Sequence, residues 1–182
     1  MLIQEALQSG RALSELVEEY KLIVRTHGKY PNLHLFKYNQ LESPMYLPLV
    51  QQCRGAILDS ADNWRVISRS FDKFFNHGEP LAHNLDWNVT VVQEKLDGSL
   101  MSMYFFDGAW RVASSGMPDA AGNVNGFDMT FESLFWKIFS DTGLKLPSRS
   151  HNFVDATYIF EMTSPYNRVV VDHKESKLTL IG

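Results

Sequence analysis

A lysine is a covalent nucleophile only when its amine is neutral. The free ammonium, with a pKa of about 10.4, must be pushed down by burial, cationic neighbours or a metal ion. Lys95 stands in a setting that suits this role, Glu94-Lys95-Leu96-Asp97-Gly98-Ser99, with a β-prone run, Val89–Glu94, before it and a Gly-Ser turn after it. Gly98 lets backbone approach a phosphate closely, and Asp97 is a candidate to help hold a hydrated metal ion. Read alone, Lys-x-Asp-Gly is short and equally describes a surface lysine at a strand end before an ordinary Asp-Gly turn.

The surroundings add to it. Upstream lie Cys53-Arg54-Gly55 and Phe71-Asp72-Lys73-Phe74-Phe75-Asn76-His77-Gly78-Glu79; downstream lie Tyr158–Met162 and Ser164-Pro165-Tyr166-Asn167-Arg168-Val169-Val170-Val171. If the lysine attacks a nucleoside triphosphate, departure of pyrophosphate needs positive charge on the leaving oxygens. Arg54 can offer two parallel hydrogen bonds and Lys73 a point charge. Glu161, among β-formers, can accept bonds from ribose hydroxyls. The bland counterparts are a solvated Arg54 and Lys73 and a strand-edge carboxylate at Glu161.

Taken together, and in this order from about residue 35 onward, these segments resemble the RNA ligase family of the bacteriophage T4 RNA ligase 1 type, within the covalent nucleotidyltransferase superfamily. The resemblance implies a role for each matching residue. Lys95 would attack the α-phosphate of ATP and form lysyl-AMP. Arg54 and Lys73 would orient the β- and γ-phosphates, Glu161 would contact the ribose, and the backbone at Glu94 would read adenine. The implied enzyme is an ATP-dependent RNA ligase using ATP and Mg²⁺, whose partners are RNA ends bearing a 5′-phosphate and a 3′-hydroxyl. The implied fold is a nucleotidyltransferase (ATP-grasp-like) ligase core, with residues 1–182 forming a single adenylyltransferase domain. A capping-type guanylyltransferase shares the lysine chemistry, but the upstream and downstream segments point to RNA ligase.

Two family elements have no counterpart here. No acid-Gly pair follows Glu161, and Lys174 and Lys177 are spaced K-x-x-K rather than K-x-K. The expectation is therefore a catalytic domain truncated at its C-terminus, impaired on its own. The alternative is a non-catalytic nucleotide-binding or interaction domain with a degenerate ligase fold.

The elements that must position these residues read as α+β, mainly antiparallel sheets with flanking helices. Leu13, Leu16, Val17 and Tyr20 predict an amphipathic helix over residues 11–20, and β-type runs take over after Gly28. Gly55–Asp59 and Trp64–Arg69 predict one hairpin; Leu100–Phe106 and Ala109–Ala113, joined by Asp107-Gly108, predict another. Ser114–Gly126 reads as a loop that either touches nucleotide or RNA or simply lies on the surface. Phe131, Leu134, Phe135, Ile138 and Phe139 share one helix face, a core stripe, with Asp128 or Thr130 as cap and Gly143 as stop. Ala156–Met162, Arg168–Val171 and Leu178–Ile181 return to the β pattern.

Composition narrows the setting. The chain has 182 residues, 45% hydrophobic and 21% charged, with a formal charge of −4. That balance excludes a generally basic nucleic-acid binder, so RNA contact needs a local basic patch. No run suggests a membrane span or signal peptide. One cysteine, Cys53, rules out an internal disulfide framework, suits a cytoplasmic setting and reads as a buried structural residue. The six histidines, His27, His34, His77, His83, His151 and His173, lack zinc-ligand spacing.

Overall fold

A computed structural model describes residues 1–149 and 151–182, with the side chains of His151 and Asn152 left out. The architecture is α+β. Strands β1 (Leu22–Thr26), β2 (Leu33–Tyr38), β3 (Arg54–Asp59) and β4 (Arg65–Ser68) form one antiparallel sheet in sequential order. Strands β5 (Ser99–Phe106), β6 (Ala109–Ser114), β7 (Tyr158–Thr163) and β8 (Lys177–Leu180) form a second, ordered β6-β5-β7-β8.

Three apolar clusters hold the layers. Helices α1 (Leu2–Gln8), α2 (Leu13–Tyr20) and α3 (Pro48–Gln52) put Ile3, Leu7, Leu16 and Val50 against Phe36 and Leu58 of the first sheet. Helix α4 (Phe131–Asp141) packs Leu134, Phe135 and Ile138 onto Met101, Met103, Val112 and Phe160 of the second. Between the sheets, Leu33, Leu35 and Ile57 meet Tyr104 and Ala113. A short helix, α5 (His151–Val154), precedes β7.

Local chemistry explains the best-defined features. Thr130 caps α4 by accepting from the Ser133 N–H at 3.1 Å. Gly143, at φ +70°, ends it, with Gly143 N–H bonding Ser140 O and Leu144 N–H bonding Phe139 O. Asp107 and Gly108 both take positive φ, which a two-residue hairpin of matching twist requires.

Two expected strands are not strands. Val89–Glu94 is irregular, with Val89 76%, Val91 79% and Val92 82% exposed. Arg168–Val171 is likewise irregular, with bends at residues 169–171 and Val170 72% exposed. β-branched residues favour a pleated surface only where a partner covers it, and nothing among the described residues pairs with either run. In the other direction, α1 lies outside the expected 11–20 helix, and β1 forms before Gly28.

Candidate active site

The two sheets wall a cleft of about 1400 Å³. From the first sheet come Lys37 and Tyr38 of β2 and Arg54 at the head of β3; from the second come Ser99 and Leu100 of β5, Glu161 of β7, and Lys177 and Thr179 of β8. The irregular stretch Gln93–Leu96 supplies Glu94 and Lys95 along one side, and Ser115, just after β6, closes another. Lys95, Arg54 and Glu161, far apart in sequence, thus share one space.

Glu161 sits on a strand paired on both sides, opposite Leu100 of β5 and Thr179 of β8. Its Oε1 accepts from the Gly98 N–H at 2.9 Å. Burial pushes its carboxyl above the ordinary glutamate value; the Gly98 bond and the nearby Lys95 charge oppose this, Asp97 adds to it and Arg54 opposes it. Lys95 and Arg54 therefore both lie within electrostatic reach of this acid.

Gly98 serves a purpose the short motif does not reveal. A Cβ there would lie 2.4 Å from the Met162 carbonyl oxygen. Only glycine lets the chain enter β5 this close to β7. Asp97 does not line the cleft. Its Oδ2 accepts from the Val170 and Val171 N–H groups at 2.8 and 2.6 Å, and its backbone carbonyl meets His173 Nε2 at 2.7 Å. Those amide bonds, Val171 first, hold its pKa below the ordinary aspartate value. Asp97 thus ties the lysine loop to the Arg168–His173 stretch, and its carboxylate is already engaged.

Arg54 donates from Nη1 to the Asp72 carbonyl at 3.2 Å and stacks on Phe74, 4.6 Å from the ring centroid. Lys73 is not brought into this cleft. It lines a neighbouring hollow with Phe75, His77 and Leu85, its Nζ donating to the Phe74 carbonyl at 2.9 Å.

Lys37 stood out nowhere in the sequence and Lys177 only as part of a K-x-x-K spacing; the topology brings both to the cleft, one from each sheet. Ser115, at the base of the 114–126 loop, lines the cleft, while Ala120 and Val124 anchor the loop in the core. Cys53 is buried, which pushes its thiol up to about 12 and leaves it inert. Among the described residues, no group of three His, Cys, Asp or Glu side chains could hold a metal ion. His151 lies outside the described side chains. No helix among the described residues is long and apolar enough to cross a membrane.

The sequence profile of the RNA ligase family matches residues 52–182. Over 97% of its length the chain is 33% identical to a protein named RNA ligase from Rhodothermus phage RM378, of which it covers 46%. It is 29% identical, over 96% of its length, to an Autographa californica nuclear polyhedrosis virus protein whose name pairs polynucleotide kinase with RNA ligase, of which it covers 27%. Half of the chain is 37% identical to RNA ligase 1 of bacteriophage TS2126, of which it covers 25%. The chain spans less than half the length of each of these relatives.

Proposed function

The chain belongs to the RNA ligase family of the T4 RNA ligase 1 type, and from that premise we propose that it carries the nucleotide-activating part of an ATP-dependent RNA ligase with Lys95 as the adenylylated residue. The single observation that supports this reading is the meeting of Lys95, Arg54 and Glu161 in one cleft between the sheets.

In the proposed reaction, the neutral Lys95 amine attacks the α-phosphorus of ATP. A P–N bond forms, the P–O bond to pyrophosphate breaks, and the amine loses its proton. The AMP then passes to an RNA 5′-phosphate, regenerating the lysine. A 3′-hydroxyl attacks the activated phosphate, AMP leaves, and the strand is sealed. Arg54 holds the departing phosphates, Glu161 accepts from the ribose hydroxyls, and the backbone beside Glu94 reads the base. Gly98 and Asp97 shape the loop that presents the lysine, and Lys73 must turn from the Phe74 carbonyl to assist.

Among the described residues, the chain's own donors do not make a metal cage. Mg²⁺ would be held mainly by the nucleotide's phosphates and water, with Glu94 and Glu161 the carboxylates nearest to hand. Bound there, it would neutralise charge on the phosphate oxygens. The proposed setting is the cytoplasm, with RNA ends as partners.

These 182 residues contain no acid-Gly pair after Glu161 and no K-x-K, so transfer to Lys95 by this polypeptide alone is expected to be weak. Intact-mass spectrometry after incubation with ATP and Mg²⁺ tests this. Little or no AMP adduct is the expected result, and any adduct should disappear in Lys95→Ala. An adduct that survives Lys95→Ala would overturn the assignment, and a stoichiometric one would overturn the expected impairment.

A further inference from the structure

Lys37 and Arg54 stand directly opposite each other on adjacent strands β2 and β3. Two cations in that relation repel, and a sheet is destabilised by like charges directly opposite. Among the described residues, neither comes within ion-pair distance of a carboxylate. Both line the cleft.

The backbone is shaped to put them there. Pairing runs from Phe36↔Ala56 to Lys37↔Arg54, leaving Gly55 as the extra residue of a β-bulge at φ +89°. Bulges re-aim the side chains beside them. A Cβ on Gly55 would lie 3.4 Å from the Ser115 carbonyl oxygen, which places this bulge beside the end of β6. The Lys37 ammonium lies against the same turn, 3.8 Å from the position a Cβ on Gly116 would take. Lys73, which the sequence marks for the partner role, is turned to the Phe74 carbonyl in the neighbouring hollow.

We infer that Lys37 is a polyphosphate-binding residue, which with Arg54 forms a two-cation seat for the terminal phosphates of a nucleoside triphosphate and for the pyrophosphate that leaves. The inference deepens the proposed function and rests on it. In the free protein the pair repels; a phosphate chain between the two groups converts that repulsion into two attractions. The cleft as a whole fits such an anion. Lys37, Arg54, Lys95 and Lys177 outnumber Glu94 and Glu161 there, although the chain carries a net charge of −4.

The test is calorimetric titration and thermal melting of the 182-residue protein with ATP, inorganic pyrophosphate and AMP. For Lys37→Gln, affinity for ATP and pyrophosphate should fall about tenfold or more, the scale of a lost charge-assisted bond. Affinity for AMP, which lacks the terminal phosphates, should stay within about twofold. The ligand-free melting temperature should rise by about 1–3 °C as the repulsion is relieved, an outcome that a purely structural lysine would not produce. Lys37→Arg should restore most of the pyrophosphate binding, and Lys145→Gln, on an exposed loop, should change nothing. Unchanged ATP and pyrophosphate affinity in Lys37→Gln would overturn the inference while leaving the proposed function standing, as would equal losses for AMP and pyrophosphate. Failure of the unaltered protein to bind ATP at all would overturn both.

Discussion

Glu161 and Lys95 reach one cleft from opposite kinds of structure. Glu161 rides on β7, hydrogen-bonded on both edges and backed by α4 through Phe135 and Phe160, whose rings meet edge-to-face at 5.4 Å. Lys95 rides on a stretch outside any strand, behind valines that face water. The first arrangement fixes an acid in place. The second leaves the lysine on backbone at the low end of local stability, where buried contacts are few. The difference suits the role proposed for Lys95, carrying AMP from one bound reactant to the next, because loops on a rigid scaffold are where such groups reside.

The largest effect that separates the two regions is the cost of truncating an apolar side chain. Phe135→Ala removes a fully buried ring from the α4–sheet layer and should cost about 3–5 kcal/mol in urea unfolding. Val92→Ala, on a side chain 82% exposed, should stay within about 0.5 kcal/mol. A comparable loss at Val92 would mean that the 89–94 run packs in solution, and the contrast would collapse.

That contrast also marks what can be read in sequence. The Asp107-Gly108 hairpin and the Gly143 stop were legible, and the α4 cap was narrowed to Asp128 or Thr130, because each is a local requirement written in a few adjacent residues. The aromatic face of α4 was legible from its period alone. Val89–Glu94 and Arg168–Val171 misled for a converse reason: β-branching says what a side chain prefers when covered, not whether a covering strand exists. Within the site, the segments around Arg54, Lys95 and Glu161 were recognisable. The different use of Asp97, the position of Lys73 and the arrival of Lys37 and Lys177 depend on how two sheets meet, and no window of sequence contains that information. Gly98 lies between the cases. The glycine stood out, but its neighbour proved to be the Met162 carbonyl.

Gly98 is also the joint between the two regions, and the second prediction acts there. In Gly98→Ala the new methyl would meet Met162 O at 2.4 Å and Thr163 Cγ2 at 3.0 Å. The nearer obstacle is backbone of a central strand and cannot swing aside. The entry to β5 must shift, costing about 1–3 kcal/mol, and the Gly98–Glu161 bond stretches or breaks. The same variant should weaken ATP binding, because the displaced loop carries Lys95. A wild-type melting curve for Gly98→Ala would show that the lysine loop is not pinned to β7 in this way.

The smallest effect concerns the acid itself. Burial raises the Glu161 pKa in the folded chain despite the opposing Gly98 bond and Lys95 charge. An acid that holds its proton more tightly when folded favours folding at low pH. That contribution is present below the ordinary glutamate value and is lost as pH rises through the raised folded value; above it the ionised group bears its desolvation cost in full. Glu161→Gln keeps an acceptor for the Gly98 N–H and removes the ionisation. The variant should therefore gain stability relative to the parent as pH rises through that window, and the two should draw together below it. Partial exposure screens the effect, so the gain should be less than about 1 kcal/mol. Parallel stability–pH curves would mean that water reaches Glu161 freely. A parent that gains on the variant with rising pH would mean that Lys95 and Arg54 outweigh burial, placing the cations closer to the acid than the cleft geometry implies.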